Sequence, residues 1–234
     1  MSFSKVFLGD CLEYLKQMDS ELFDLVLIDA PYFDYKTDYR KDKEGKLSQS
    51  LVQQSRQDQL EVITECIRVL KSGHAFFYFT NWQEAWWFQE KKYSFLRNEI
   101  IWYKGNWTAG DLEGSFGSCY EVIFLGTKGR GWRYKGKRLP DIWGAGIAGA
   151  DDVIPRVGTG RTHPTEKPVE LYKKIIELST EPEALVLDPY LGSGASVIAA
   201  LETGRNIIGY EIDKDYYDGI LRRITEWKES MQTE

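Results

Sequence analysis

Short apolar runs alternate with stretches of helical spacing at both ends of the chain, and the pattern changes in the middle. Lys5 to Leu8 reads as a strand. Asp10 and Glu13 form a capping pair for a helix whose buried face is Leu12, Leu15 and Met18. Asp24 to Ile28 is the next strand. From Gln57 to Leu70 the positions Leu60, Ile63, Ile67 and Leu70 recur at helical spacing, and Gly73 stops that helix before the strand Ala75 to Phe79. The same grammar returns later: helix Val169 to Leu178, strand Ala184 to Leu187, helix Ala195 to Leu201 closed by Gly204, strand Asn206 to Gly209, helix Tyr216 to Trp227. Strands and helices in alternation predict an α/β fold, a mainly parallel twisted sheet with helices on both faces.

The middle breaks this rhythm. Glu99 to Tyr103 and Glu121 to Leu125 have strand character with no helix between them, and residues 105–160 hold 13 of the 21 glycines. A hairpin plus an irregular inserted lobe fits this better than another strand–helix unit. Three segments follow: residues 1–106 and 162–234 as two halves of one domain, and 107–161 as the lobe. Residues 34–56, polar and directly after a strand end, read as a surface loop.

With 234 residues, 42% hydrophobic and 28% charged, the chain has the composition of a folded protein of one large domain. Its longest apolar runs, such as Ala75 to Phe79, fall far short of the roughly 18 residues of a membrane span. The first residues lack the pattern of a secretory leader, so the cytoplasm is the expected location. Three scattered cysteines and two histidines argue against a disulfide framework and against a metal centre. The net charge of −6 argues against a polyanionic partner, but residues 128–138 hold six basic residues and no acid, leaving the remainder at −12. With Trp132 and Tyr134 among them, Lys128, Arg130, Arg133, Lys135 and Arg138 become candidate nucleic-acid contacts. The competing reading is a charged hairpin edge that discourages strand addition.

Two strand ends carry candidate chemistry. Leu185 to Leu187 delivers Asp188-Pro189-Tyr190-Leu191-Gly192-Ser193-Gly194 just before a helix, the place where open α/β sheets bind ligands. Gly192 and Gly194 let the backbone approach a ligand, and Glu211, 19 residues after Gly192, can hydrogen-bond both hydroxyls of a ribose. Asp188 would repel a pyrophosphate, and Val197 stands where a dinucleotide fingerprint has its third glycine. A ribose-bearing cofactor with cationic groups fits better, and S-adenosylmethionine is one. At the other strand end, Leu25 to Ile28 leads into Asp29-Ala30-Pro31-Tyr32. Pro31 restricts Ala30 to extended geometry and so aims its carbonyl. A carboxylate and a carbonyl that accept both N–H bonds of an exocyclic base amine raise the electron density on its nitrogen. Tyr32 can stack on a base that has left its helix.

Together these motifs resemble the amino-methylating DNA methyltransferases of the permuted β class. That family has an Asp-Pro-Pro-Tyr motif, a target-recognition region, a His-Pro-Thr-x-Lys-Pro segment and an Asp-Pro-Phe-x-Gly-Ser-Gly loop in this order. Asp29 to Tyr32, His163 to Pro168 and Asp188 to Gly194 correspond to its three motifs. The resemblance implies a Rossmann-like methyltransferase fold and S-adenosylmethionine as cofactor. It implies Asp29, Ala30, Pro31 and Tyr32 as the catalytic turn. Asp10, Cys11, His163, Thr165, Lys167, Asp188, Tyr190, Gly192, Ser193, Gly194 and Glu211 become the cofactor pocket, with Lys167 on the methionine carboxylate. Asp10 has helix capping as a competing role. Ala30 departs from the family proline but keeps the carbonyl; Tyr190 and Ala195 replace Phe and Thr, changes that bear on cofactor affinity. An aspartate in the first position favours adenine N6 over cytosine N4 in double-stranded DNA, within a restriction–modification setting. A cofactor-sensing nucleic-acid-binding module without catalysis is the non-enzymatic alternative. The lobe is short, so it reads few base pairs, works with a second copy of the chain, or has little sequence preference.

Overall fold

The computed structural model describes residues 2–32, 54–90, 95–105, 113–114, 116–144, 154–157 and 165–232. Its strands are β1 (Ser4–Leu8), β2 (Phe23–Ile28), β3 (Leu70–Thr80), β4 (Leu96–Tyr103), β5 (Tyr120–Thr127), β6 (Ile142–Trp143), β7 (Leu185–Asp188) and β8 (Asn206–Glu211). Its helices are α1 (Cys11–Leu15), α2 (Arg56–Val69), α3 (Trp82–Glu90), α4 (Val169–Ser179), α5 (Ala195–Glu202) and α6 (Lys214–Ser230). The strands form one eight-stranded sheet in the order β1-β8-β7-β2-β3-β5-β4-β6. Five neighbouring strands, β1, β8, β7, β2 and β3, run parallel, and β5 runs antiparallel to both β3 and β4.

The period-two alternation of buried strands sorts their side chains into two apolar layers. Leu25 and Leu27 of β2, with Ala75, Phe77 and Phe79 of β3, join the layer covered by α4, α5 and α6. Val26 and Ile28, with Phe76 and Tyr78, join the layer covered by α1, α2 and α3. Helices on each face therefore come from one half of the chain. The boundary lies between β2 and β7, paired through Leu25 with Val186 and Val26 with Leu187. The connection β2-α2-β3 leads to one side of that boundary and β7-α5-β8 to the other, so the carboxyl ends of β2 and β7 flank a topological switch point.

Local differences from the expected elements have identifiable causes. Helix α2 starts in a capping box of Ser55 and Asp58 and ends at Val69, not at Gly73. Leu70 is already extended and opens β3, which absorbs Gly73 at a φ of +78°. The periodicity of Leu60 to Leu70 thus runs one residue past the helix, because Leu70 is buried as a strand residue. Helix α3 follows β3 immediately, where the aromatic run Trp82 to Phe88 carries no clear polar face. The two-residue β6 pairs parallel with β4 through Ile101–Ile142 and Trp102–Trp143.

Gly209 of β8 lies directly beneath the turn after β7. A Cβ there would sit 2.5 Å from Leu191 Cδ2 and 2.8 Å from the Asp188 carbonyl oxygen. Gly209→Ala should therefore lower stability by about 1–3 kcal/mol, the usual cost of overpacking. Guanidinium denaturation reads this directly; an unchanged midpoint would show that the turn has room to lift.

Candidate active site

The carboxyl ends of β1, β2, β7 and β8 open onto one cavity of about 400 Å³, within the range of small-ligand pockets. Asp29, Ala30, Pro31 and Tyr32 line it from β2; Tyr190, Gly192 and Ser193 line it from the turn after β7. Asp10, Cys11, Thr165, Lys167 and Glu211 complete the set of expected residues that reach it. His163 lies outside the described residues. Gly194 is not among the lining residues: it caps α5 at a φ of +76°, with Ile220 only 3.0 Å from where its Cβ would be.

The glycine turn is held by Glu211. Its carboxylate accepts the backbone N–H of Gly192 at 2.7 Å and that of Asp213 at 2.9 Å. Burial raises the Glu211 pKa, against those N–H donors. The turn itself folds back on β8 through the Leu191 N–H to the Tyr210 carbonyl, 2.9 Å. Arg223 ties the segment before α4 to this turn, reaching Glu166 at 2.8 Å and the Ser193 carbonyl at 3.1 Å. Asp10 fills its capping role, accepting the Leu12 N–H at 2.9 Å, while still facing the cavity. Cys11 beside it is a neutral thiol, pushed up to about 12 by burial first and by the Asp10 charge second.

Asp188 has a different role from the one expected of it. It is 1% exposed and does not line the cavity. Its oxygens accept the Tyr190 N–H at 2.9 Å and the Ser196 hydroxyl at 2.5 Å, so it fixes the turn and the start of α5 from below. Burial pushes its pKa up to about 7 against those hydrogen bonds, with the charges of Asp29 and Glu211 adding to the rise.

The Asp29-Ala30-Pro31-Tyr32 turn is braced from α2 by Gln59, whose amide donates to the Pro31 carbonyl at 2.6 Å. Lys167 requires a correction. Its ammonium is buried between two carboxylates, Asp29 Oδ1 at 2.9 Å and Glu121 Oε2 at 3.3 Å, and is not left open for a ligand carboxylate. Tyr172 donates to Asp29 Oδ2 at 3.3 Å, Tyr32 donates to Glu121 Oε2 at 3.0 Å, and Lys104 stands 3.5 Å from Glu121 Oε1. Burial raises Asp29, Lys167 pulls it down, Glu121 pushes it up again, and the net direction is upward. In Glu121 the two lysines outweigh burial and hold the carboxyl below its ordinary range. In Lys167 the two carboxylates outweigh burial and keep it an ammonium.

Sequence reading missed Glu121, Lys104, Tyr172 and Gln59. Glu121 is a lone acid at the start of an apolar run, and only the antiparallel pairing of Thr80 with Val122 brings it to the cavity end.

That same pairing displaces the basic stripe. Thr127 pairs with Ala75 at the opposite end of β3, roughly 20 Å along the strand from Glu121 at a rise of about 3.3 Å per residue. Residues 128–138 therefore begin at the edge of the sheet remote from the cavity. Lys128 is consumed there by Glu21 at 2.8 Å and the carbonyls of Arg68 and Leu70, and Lys135 pairs with Glu181 at 2.6 Å. Arg130, Arg133 and Arg138 are exposed. Among the described residues no cluster of metal-ligating side chains occurs, and no helix is long and apolar enough to cross a membrane.

The parallel part of the sheet carries a ligand-sized cavity at its switch point, lined by an acid–carbonyl–aromatic turn and a glycine turn, which is the arrangement of an α/β protein with a small-molecule site. The DNA methylase family model for N6 and N4 enzymes matches residues 23–222, and the chain belongs to that family. It is 29% identical to the DNA adenine methyltransferase YhdJ of Escherichia coli, over 92% of this chain and 81% of that protein. It is 26% identical to the type II methyltransferase M.HinfI of Haemophilus influenzae, over 94% of this chain and 68% of that protein. Among solved structures, the M1.HpyAVI–SAM complex superposes with a TM-score of 0.70 at 19% identity, covering 95% of this chain and 99% of that one. The cytosine-N4-specific PvuII DNA methyltransferase superposes with a TM-score of 0.75 at 16% identity, covering 95% and 86%.

The raised pKa of Asp188 makes stability depend on pH. The folded chain holds this proton up to about 7, whereas an unfolded aspartate releases it near 4. Its stabilising contribution is therefore present below about pH 4 and is lost as pH rises to about 7. Asp188→Asn removes that loss, so urea denaturation across this window should show the variant gaining on the wild-type chain as pH rises. A constant difference would refute the assignment.

Proposed function

We propose that the protein transfers a methyl group from S-adenosylmethionine to the N6 amine of adenine in double-stranded DNA. The observation that carries this reading is one cavity holding both the Asp29-Ala30-Pro31-Tyr32 turn and the Glu211-braced glycine turn. The cavity size and a carboxylate at the end of β8 suit a ribose-bearing molecule. Glu211, Gly192 and Ser193 would hold the nucleoside part, with Asp10 and Thr165 on the remaining walls. When bound, S-adenosylmethionine supplies an already activated methyl group, so the chain's own residues have to position rather than ionise.

Asp29 and the Ala30 carbonyl serve as acceptors for the two N–H bonds of the target amine, and Tyr32 provides a stacking surface for the extruded base. Tyr32 and Tyr172 remain neutral phenols, because burial and the neighbouring carboxylates drive both well above their ordinary pKa. They can therefore act as hydrogen-bond donors without competing for the transferred group. YhdJ, by its name an adenine methyltransferase, supports the adenine reading. The superposition on a cytosine-N4-specific enzyme supports cytosine as the second reading. Protection of a restriction site is the setting we propose, in line with the type II relative. Residues 107–161 are our proposed target-recognition lobe, with a second copy of the chain as one way to extend its reach.

Incubation with labelled S-adenosylmethionine and unmethylated duplex DNA, followed by nucleoside analysis, tests the reading. Label is expected in N6-methyladenine; label in cytosine would move the assignment to N4, and label in neither would leave a cofactor-binding module. Asp29→Ala should lower turnover by about 10²–10³-fold while DNA binding persists, the scale of losing one preorganised polar contact.

The remote position of the first part of the stripe gives a second expectation. Replacing Arg130 and Arg133 together by Gln should leave the salt dependence of DNA binding unchanged. A shallower slope would show that the duplex reaches that edge.

A further inference from the structure

Asp29 has no unengaged oxygen: Lys167 donates to Oδ1 at 2.9 Å and Tyr172 to Oδ2 at 3.3 Å. A carboxylate oxygen can accept a second hydrogen bond, but one already neutralised by an ammonium gives less electron density to an incoming amine. Full use of Asp29 by the amine therefore requires Lys167 to loosen its hold. Lys167 is almost wholly buried, and an ammonium leaving one anion there needs another within reach. Glu121 is that anion, already 3.3 Å away on the other side. Lys167 first and Lys104 second keep it ionised against burial, and its Oε2 also accepts the Tyr32 hydroxyl at 3.0 Å. One carboxylate on the antiparallel strand β5 thus touches both the cation that competes for Asp29 and the ring assigned to the base.

Resting on the amino-methylation reading above, we propose that Glu121 is a positioning residue: it receives the Lys167 ammonium as the target amine engages Asp29, and it fixes the plane of Tyr32 meanwhile. Glu121 acts through these two neighbours and does not touch the reacting atoms. Asp29 is faced by Tyr32 from its own turn, Lys167 from the segment before α4, Tyr172 from α4, Glu121 from β5 and Asp188 from β7. Of these, Glu121 contributes a negative charge that disfavours ionisation of Asp29.

The test is Glu121→Gln, which keeps the size and the acceptor for Tyr32 but removes the charge. Single-turnover methylation should slow by about 10²-fold, the scale of a misplaced reacting group, with S-adenosylmethionine affinity unchanged. The acid limb of the pH–rate profile should move to lower pH, since Lys167 then serves Asp29 alone and the repelling charge is gone. Glu121→Asp, which retains the charge, should leave that limb in its wild-type position. In a Lys167→Met background the Glu121→Gln change should cost no more than about twofold, because the cation it receives is absent. A rate within twofold of wild type, an unmoved acid limb, or an equal loss in both backgrounds would each overturn the proposal. A wild-type chain that binds the cofactor and labels neither base would instead refute the amino-methylation reading itself.

Discussion

The parallel pairing of β2 with β7 is the constraint on which the rest depends. These strands lie on opposite sides of the inserted segment, and only the hydrogen bonding around Leu25–Val186 and Val26–Leu187 makes them neighbours. That contact places Asp29 and Asp188 at adjacent strand tips, close enough for each charge to affect the other. It also sets the boundary from which the two halves wind outward in opposite directions, leaving a crevice. The chemistry is thus a product of sheet order before it is a product of any side chain.

A crevice built on strand ends concentrates carboxylates, and the structure deals with four of them in different ways. Glu211 is satisfied by backbone N–H groups, and Asp188 by a hydroxyl and a backbone N–H. Asp29 and Glu121 share one buried lysine, with Lys104 as the second cation. Four acids and two bases would make an unstable interior if merely adjacent, because each unpaired charge loses its hydration. Interleaved as they are, they give β7 and β5 unequal electrostatics: burial pushes Asp188 up to about 7, while the two lysines keep Glu121 ionised.

The fold was legible because buried parallel strands and amphipathic helices write distinct periods into the sequence. Leu185 to Leu187 and the glycine turn after it announced a ligand-binding strand end, and Asp29 to Tyr32 announced a second. Lys167 could be read as a pocket residue but not as the partner of Asp29, since that contact spans 138 positions and depends on the sheet order. Glu121 carried no local sign at all: its meaning comes from running antiparallel to β3. The basic stripe shows the converse case. Charge density is visible in a sequence, whereas the end of the sheet on which it emerges depends on strand direction, and β5 delivers the first residues of the stripe to the end away from the cavity.

The division of the two faces has a consequence for the chain during its synthesis. Leu25, Leu27, Phe77 and Phe79 all point to the layer whose helices begin only at Val169. A nascent chain that has already formed β2, α2 and β3 therefore carries one finished oily surface and one bare one until its last third has left the ribosome. During that interval the bare surface is open to chaperones and to other unfinished chains, and the order of translation becomes part of the folding problem.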